Sequence, residues 1–111
     1  MKIIESELVV FYDVDDTLVM HGLEPSEKDL YITGNVVAPN EAHIKLMRSQ
    51  HSRGYTIIVW SAGGYEWAAE VVHALGLQSY VSYIMSKPLC YVDDLPVEKF
   101  MTQRVYLTGQ K

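Results

Sequence analysis

The segment LVVFYDVDDTL, residues 8–18, passes abruptly from apolar to acidic side chains. Its first half, residues 8–12, is an unbroken apolar run rich in β-branched and aromatic residues. That pattern is typical of a strand that is buried on both faces. Residues 55–60, with the sequence YTIIVW, repeat the pattern and are followed by Ser61. The two runs therefore predict two buried strands, each followed at once by a polar side chain.

One helix is predicted between these two strands and a second helix after them. Asn40 is placed as the N-cap of a first helix, and Gly54 marks the end of that helix. A second helix is expected at about residues 65–75, where apolar side chains recur at helical spacing and Gly76 follows as a C-cap. Alternating buried strands and helices imply an α/β domain with a mostly parallel sheet.

The other elements are predicted from weaker signals. Residues 19–39 contain several glycines and prolines, and the apolar pairs on either side of Thr33-Gly34-Asn35 predict a small hairpin. The remaining expected elements are strands at 80–86, 89–92 and 104–107, and a helical turn at 96–100.

Length and charge limit the classes of protein that fit. The 111 residues suit one domain covering residues 1–111, because domains typically have about 50 to 250 residues. The formal net charge is −5, and the excess acid lies in two patches, at residues 13–16 and 93–94. This balance disfavours a protein that holds nucleic acid mainly through a basic face, but it leaves room for a small phosphorylated substrate.

Signals for targeting and for disulfide bonding are few. The N-terminal segment lacks a long apolar stretch, and no apolar run approaches the roughly 18 to 20 residues of a membrane span. Cys90 is the single cysteine and has apolar neighbours, which predicts a buried structural thiol and a reducing compartment. We expect a cytoplasmic protein with no membrane partner.

Polar side chains follow three of the predicted strands. Asp13, Ser61 and Asp93 each lie just after such a strand. The carboxyl ends of parallel strands form the ligand crevice of an α/β sheet, so these side chains are expected to meet on one rim. Asp15 and Asp94 add carboxylates there. Clustered carboxylates repel one another unless a cation compensates them, and Mg²⁺ prefers carboxylate, water and phosphate oxygens. The rim thus predicts a Mg²⁺ site suited to phosphoryl transfer.

Residues 13–18, with the sequence DVDDTL, resemble the first motif of the haloacid dehalogenase (HAD) superfamily of phosphatases. Ser61, Lys87 and the pair Asp93-Asp94 resemble its second, third and fourth motifs, and they occur in the expected order. The resemblance covers most of the chain. It implies a Rossmann-like three-layer fold with a reduced, mostly parallel sheet, and a Mg²⁺-dependent phosphomonoester hydrolase.

The resemblance also implies roles for the acidic residues. Asp13 would be the nucleophile that carries an aspartyl-phosphate. Asp15 would be the general acid that protonates the leaving group and then the base that activates water. Asp13, Asp15, Asp93 and Asp94 would hold Mg²⁺, with Asp15 contributing its backbone carbonyl and Asp94 in a supporting position.

Phosphate contacts are implied for the other matching residues. Thr17 would brace the phosphate-binding loop. Ser61 would bind a phosphate oxygen together with the backbone N–H groups of Ala62 and Gly63, where the dipole of the following helix favours an anion. Lys87 would pair with both the nucleophile and the phosphate.

Two features depart from the superfamily pattern. Only five residues separate Lys87 from Asp93, whereas a parallel crossover needs about a dozen or more. Residues 80–86 are therefore irregular or antiparallel, or else the sheet has fewer strands.

A cap domain is not expected either, since residues 19–39 have room only for a flap-like hairpin. Such a capless site would be covered by a large substrate or by a neighbouring subunit of a homo-oligomer.

Two alternative functions stay open at this point. One is a phosphatase for the terminal 3′-phosphate of a nucleic acid, and the other is a non-catalytic binding module that keeps the fold. Tyr31, Tyr65 and Trp67 near the rim would be able to stack on a base or sugar. The four histidines lack metal-ligand spacing and are expected at the surface or partly buried, with His21 close enough to the first motif to reach a substrate.

Overall fold

Strands and helices alternate from residue 35 onward, as the apolar patterning predicts. A computed structural model describes residues 1–107. In chain order the elements of this part are β1 (Val9–Tyr12), β2 (Val19–Met20), β3 (Leu30–Ile32), β4 (Asn35–Pro39), α1 (Glu41–Ser52), β5 (Thr56–Ser61), α2 (Tyr65–Ala74), β6 (Tyr83–Ser86) and a short 3₁₀ helix, Val97–Lys99. These elements form an α/β fold.

The main sheet is parallel and has the strand order β1-β5-β6. Tyr12 at the end of β1 pairs with Val59, and Ser61 at the end of β5 pairs with Ser86. Because the strands are parallel, their carboxyl ends lie along one edge of the sheet. The prediction of a mostly parallel, reduced sheet is confirmed.

A second, antiparallel sheet lies within residues 19–39 and has the order β2-β4-β3. Thr33 and Gly34 form the turn between β3 and β4, with φ angles of 48° and 80°. Two consecutive positive φ angles are typical of the two-residue turns that match the twist of a hairpin. The predicted hairpin is confirmed, and β2 extends it by pairing with the end of β4.

One apolar core joins the parallel sheet to both helices. It contains the register partners Tyr12 and Val59, together with Ile44 and Met47 of α1 and Val71 of α2. Each successive strand of the parallel sheet is added on the same side, from β1 to β5 to β6. Right-handed crossovers between successive strands then place both helices on the same face of the sheet. The Rossmann-like three-layer arrangement is not confirmed.

The opposite face of the sheet carries stacked aromatic rings. The rings of Phe11 and Trp60 have centroids 4.1 Å apart. They line a cavity of about 1170 Å³, to which side chains between Val97 and Tyr106 also contribute. The C-terminal part of the chain therefore lies beside β1, although it does not pair with that strand in the described residues.

The chain after β6 differs from the prediction. Residues 89–92 form no strand, and the side chains of Leu89 and Val92 are fully exposed. Only two residues separate β6 from this segment, and a crossover to another parallel strand needs about a dozen or more. The sheet therefore keeps β6 as a regular parallel strand and ends at three strands. Cys90 is exposed, so the prediction of a buried thiol is wrong.

The two elements expected nearer the C terminus have different outcomes. The helical turn is confirmed as the 3₁₀ helix Val97–Lys99. The strand at residues 104–107 is wrong, because this segment has no regular structure. Tyr106 and Leu107 bind instead to earlier parts of the chain, through contacts described below.

Candidate functional site

The loop that follows β1 makes a tight turn and presents its polar side chains at the carboxyl edge of the sheet. The carbonyl of Val14 accepts hydrogen bonds from the N–H groups of Thr17, Leu18 and Val19 at 2.9–3.2 Å. Val14 and Leu18 are fully buried. These apolar anchors hold the loop against the core, while Asp13 on the same loop stays partly exposed.

Asp13 has a partner for each of its carboxylate oxygens. The ammonium of Lys87 lies 3.3 Å from Oδ1, and the hydroxyl of Thr17 donates to Oδ2 at 3.2 Å. Lys87 directly follows β6, so the parallel sheet delivers its side chain to the same edge as Asp13. The structure thus brings together three of the residues singled out from the sequence.

Asp15 is the more exposed of the two motif carboxylates, with 45% of its side chain accessible against 32% for Asp13. Its Oδ1 atom lies 2.8 Å from Nε2 of His21 and accepts a hydrogen bond from Nε1–H of Trp67 at 3.1 Å. His21 follows β2 and Trp67 lies on α2. Three separate parts of the chain therefore meet at this carboxylate.

Ser61 is at the predicted edge but is fully buried. Its hydroxyl oxygen accepts a hydrogen bond from the N–H of Gly63 at 3.0 Å. Its carbonyl accepts from Gly64 at 3.1 Å and from Lys87 at 2.9 Å. Ser61 therefore fixes the turn into α2 and ties that turn to the residue after β6, while Ala62 is exposed on the same turn.

Asp93 and Asp94 do not join the other carboxylates. Both are exposed, and Oδ1 of Asp93 accepts a hydrogen bond from the N–H of Leu95 at 2.9 Å. Among residues 1–107, no three acidic, histidine or cysteine side chains form a group that would hold a metal ion. The predicted rim therefore contains Asp13 and Asp15 without the later pair, because residues 89–92 do not form the strand that was expected to deliver it.

Two residues that the sequence did not single out hold the backbone of the loop. His43 is buried, and its Nε2 atom accepts a hydrogen bond from the N–H of Leu107 at 2.9 Å. The imidazole proton then belongs on Nδ1, which donates to the carbonyl of Thr17 at 2.9 Å, an assignment made from the hydrogen-bond pattern. The hydroxyl of Tyr106 donates to the carbonyl of Asp16 at 2.8 Å.

The N-cap position of α1 contributes to the same support. Asn40 makes no side-chain cap, and its amide instead donates to the carbonyl of Thr17 at 2.8 Å. Both Asn40 and His43 are nearly inaccessible to solvent. The expectation of surface or partly buried histidines is wrong for His43, whose environment depends on contacts distant in the sequence.

No protein-family model, curated protein or solved structure matches this chain. Neither helix within residues 1–107 is long and apolar enough to cross a membrane.

Proposed function

We propose that this protein is a phosphomonoester hydrolase of the HAD type, with a reduced Rossmann-like fold, no cap domain and a cytoplasmic location. The observation that carries the proposal is the arrangement at Asp13. A partly exposed carboxylate at the end of a parallel strand has a lysine ammonium 3.3 Å from one oxygen and a threonine hydroxyl 3.2 Å from the other. A second carboxylate, Asp15, lies two residues later on the same loop.

Asp13 and Asp15 divide the chemistry between them. A carboxylate oxygen of Asp13 attacks phosphorus, and the bond from phosphorus to the leaving oxygen breaks. Asp15, in its acid form, gives its proton to that oxygen, so an alcohol departs and an aspartyl-phosphate is left on Asp13. Asp15 then takes a proton from a water molecule, which attacks phosphorus and breaks the bond to Asp13. Inorganic phosphate leaves and both side chains return to their starting forms.

The positive groups around Asp13 suit a phosphate. The ammonium of Lys87 is close enough to Asp13 to contact a phosphate oxygen during the attack and to offset developing charge. The exposed turn at Ala62 precedes α2, whose N-terminal N–H groups and dipole favour an anion. Ser61 would act by shaping this turn, because its hydroxyl oxygen is buried against Gly63.

Mg²⁺ fits two of the residues at this site. The ion binds proteins through one or two carboxylates, with water and phosphate oxygens filling the other positions. Asp13 would supply a partly exposed carboxylate and Asp15 its backbone carbonyl, so that the Asp15 side chain stays available for proton transfer. When bound there, the ion would offset negative charge on the carboxylates and the phosphate. This proposal does not require Asp93 or Asp94 as ligands.

Substitution of the nucleophile tests the proposal. We expect Asp13→Asn to lower kcat for phosphomonoesters by at least about a thousandfold in the presence of Mg²⁺, because an amide oxygen is a poor nucleophile. Release of inorganic phosphate measures the rate across sugar phosphates, nucleotides and p-nitrophenyl phosphate. Asp29→Asn removes the same charge away from the site and is expected to keep the wild-type rate.

Either of two results would contradict the proposal. Full activity of the Asp13→Asn protein would exclude this nucleophile. A folded wild-type protein that binds Mg²⁺ but releases phosphate from none of these esters would favour the non-catalytic module.

Exposed tyrosines favour a nucleic-acid end as a second candidate substrate. Tyr65 is 59% exposed, and its backbone N–H donates to the hydroxyl of Ser86, the residue before Lys87. Tyr31 is 81% exposed on the hairpin. Such rings are able to stack on unpaired bases. A 3′-phosphorylated oligonucleotide compared with the small esters would distinguish the two substrate classes.

A further inference from the structure

Asp15 is held by two side chains that come from different parts of the chain. Nε2 of His21 lies 2.8 Å from Oδ1, and Nε1 of Trp67 lies 3.1 Å from the same atom. An indole N–H only donates, so the Trp67 contact has a fixed direction, and His21 donates when its proton is on Nε2. In the described part of the chain, Oδ2 makes no hydrogen bond.

Two donors on one oxygen restrict rotation of the carboxyl group. With the His21 proton on Nε2, Oδ1 accepts both hydrogen bonds, and a proton carried by Asp15 then belongs on Oδ2. Oδ2 is then the oxygen that would give the proton to a leaving group, and the contacts of the other two side chains to Oδ1 would set its orientation. A general acid is effective only when its proton lies within hydrogen-bonding reach of the atom that receives it.

Both donors are themselves fixed by the surrounding chain. The Trp67 indole packs closely on Gly63. A Cβ atom added to Gly63 would lie only 3.4 Å from Cδ1 of the ring and 3.3 Å from the hydroxyl oxygen of Ser61. The backbone N–H of His21 donates to Oδ1 of Asp16 at 3.2 Å. The contacts to Asp15 therefore link the turn before α2 to the loop after β1.

We propose that Trp67 and His21 are positioning residues that orient Asp15 for proton transfer to the leaving group. This inference rests on the proposed phosphatase function. It assigns to Trp67 and His21 a role through Asp15, in place of the direct substrate contact expected from the sequence.

The leaving group provides a readout that a purely structural role would not change. p-Nitrophenolate is stable as an anion and leaves without a proton, whereas phenolate and alkoxides are more basic and benefit from an acid. We compare kcat/KM, which covers the steps up to departure of the leaving group and leaves out the later hydrolysis of the aspartyl-phosphate. We expect Trp67→Phe and His21→Ala each to lower kcat/KM for phenyl phosphate by about tenfold or more, a part of the general-acid contribution. The same variants are expected to change kcat/KM for p-nitrophenyl phosphate by less than about twofold, because departure of that leaving group needs little help from the acid.

Matched variants separate the hydrogen bond from the loss of side-chain volume. His21→Gln keeps an N–H donor and is expected to recover much of the phenyl phosphate activity that His21→Ala loses. His73→Ala removes a histidine from the far end of α2, which contacts Gln78, and is expected to leave both rates unchanged.

Nuclear magnetic resonance tests the contact without turnover. The chain has only two tryptophans, so the Trp67→Phe protein identifies the Trp67 indole N–H signal by its absence. We expect this signal to shift in Asp15→Asn and to stay in place in Asp29→Asn. An indole signal that is insensitive to Asp15→Asn would overturn the proposed contact.

The outcomes distinguish this inference from the proposed function. Equal losses of kcat/KM on both esters, or no loss on either, would overturn the positioning role while leaving the phosphatase function intact. A wild-type protein that hydrolyses neither ester would overturn the phosphatase function and the positioning role with it.

Discussion

The hydroxyl of Tyr12 is buried at the end of β1 and donates to Oε1 of Gln50 on α1 across 2.6 Å. Burial raises the pKa of this phenol far above its usual value, and the positive charge of Arg53 opposes part of that shift. The folded protein therefore keeps the Tyr12 proton at pH values where the unfolded chain, with a pKa of about 10, releases it. The stability that depends on neutral Tyr12 is complete below about pH 10 and declines as the pH rises above that value.

Tyr12→Phe tests this dependence on pH. At pH 7 the variant is expected to lose about 1 kcal/mol of unfolding free energy with its hydrogen bond. Between about pH 9 and 11 the wild-type protein is expected to lose stability faster than the variant, because phenylalanine has no proton to release. Urea denaturation at several pH values measures both effects, and Tyr31→Phe, on an 81% exposed ring, serves as the control. Equal pH slopes in the Tyr12→Phe and wild-type proteins would contradict the argument.

The sequence predicts individual site residues where a motif follows a buried strand. Asp13, Thr17 and Lys87 were expected at one edge of the sheet, and the structure brings them together. His43 was not recognised, because its burial depends on Leu107, which is 64 residues away and leaves no periodic signal. Trp67 was expected near the site as a stacking ring, but the sequence does not indicate that its N–H binds Asp15.

At the scale of elements, apolar patterning predicts strands well only when the connections also allow them. The residues of β1 and β5 carry β-branched apolar runs, and both strands form where expected. Residues 89–92 have a similar composition but follow β6 after only two residues. Chain connectivity prevents this segment from crossing to another parallel position, and its apolar side chains stay exposed. Composition alone therefore predicted one strand too many.

The apolar residues of α1 form only a rough stripe in the sequence, and the structure places Met47 fully in the core. We expect Met47→Ala to lower the unfolding free energy by about 2–5 kcal/mol, because truncation leaves a cavity under the helix. Met47→Leu keeps most of the volume and is expected to cost less than about 1.5 kcal/mol. Chemical denaturation of both variants measures the difference, and similar values for the two would show that the site collapses around the smaller side chain.

For the molecule as a whole, the end of the described chain supports the loop after β1. Tyr106 donates to the carbonyl of Asp16, and Leu107 donates to His43, which in turn binds the carbonyl of Thr17. Residues 106–107 are thus joined to residues 16–17 at the candidate site. This closure is a property of the complete fold, since neither β1 nor the C-terminal segment forms it alone.

Tyr106→Phe is the variant that tests this closure. Loss of the hydroxyl is expected to lower the unfolding free energy by about 1 kcal/mol. It is also expected to reduce kcat of the proposed phosphatase activity several-fold, because the backbone between Asp15 and Thr17 loses a support. Tyr31→Phe removes a hydroxyl from an exposed ring and is expected to leave kcat unchanged. A Tyr106→Phe protein with wild-type kcat would show that the loop keeps its geometry without this hydrogen bond.

The position of Lys87 has a practical consequence for spectroscopy. Its ammonium lies 3.3 Å from Asp13 and 5.8 Å from the centroid of the Trp60 ring, so one charge contacts both the candidate nucleophile and an indole. Indole emission depends on nearby charge, and an anion that draws the ammonium away from the ring alters the light that Trp60 emits. In a Trp67→Phe background, Trp60 is the single tryptophan. The protein then carries its own fluorophore for following ligand arrival without a chemical label.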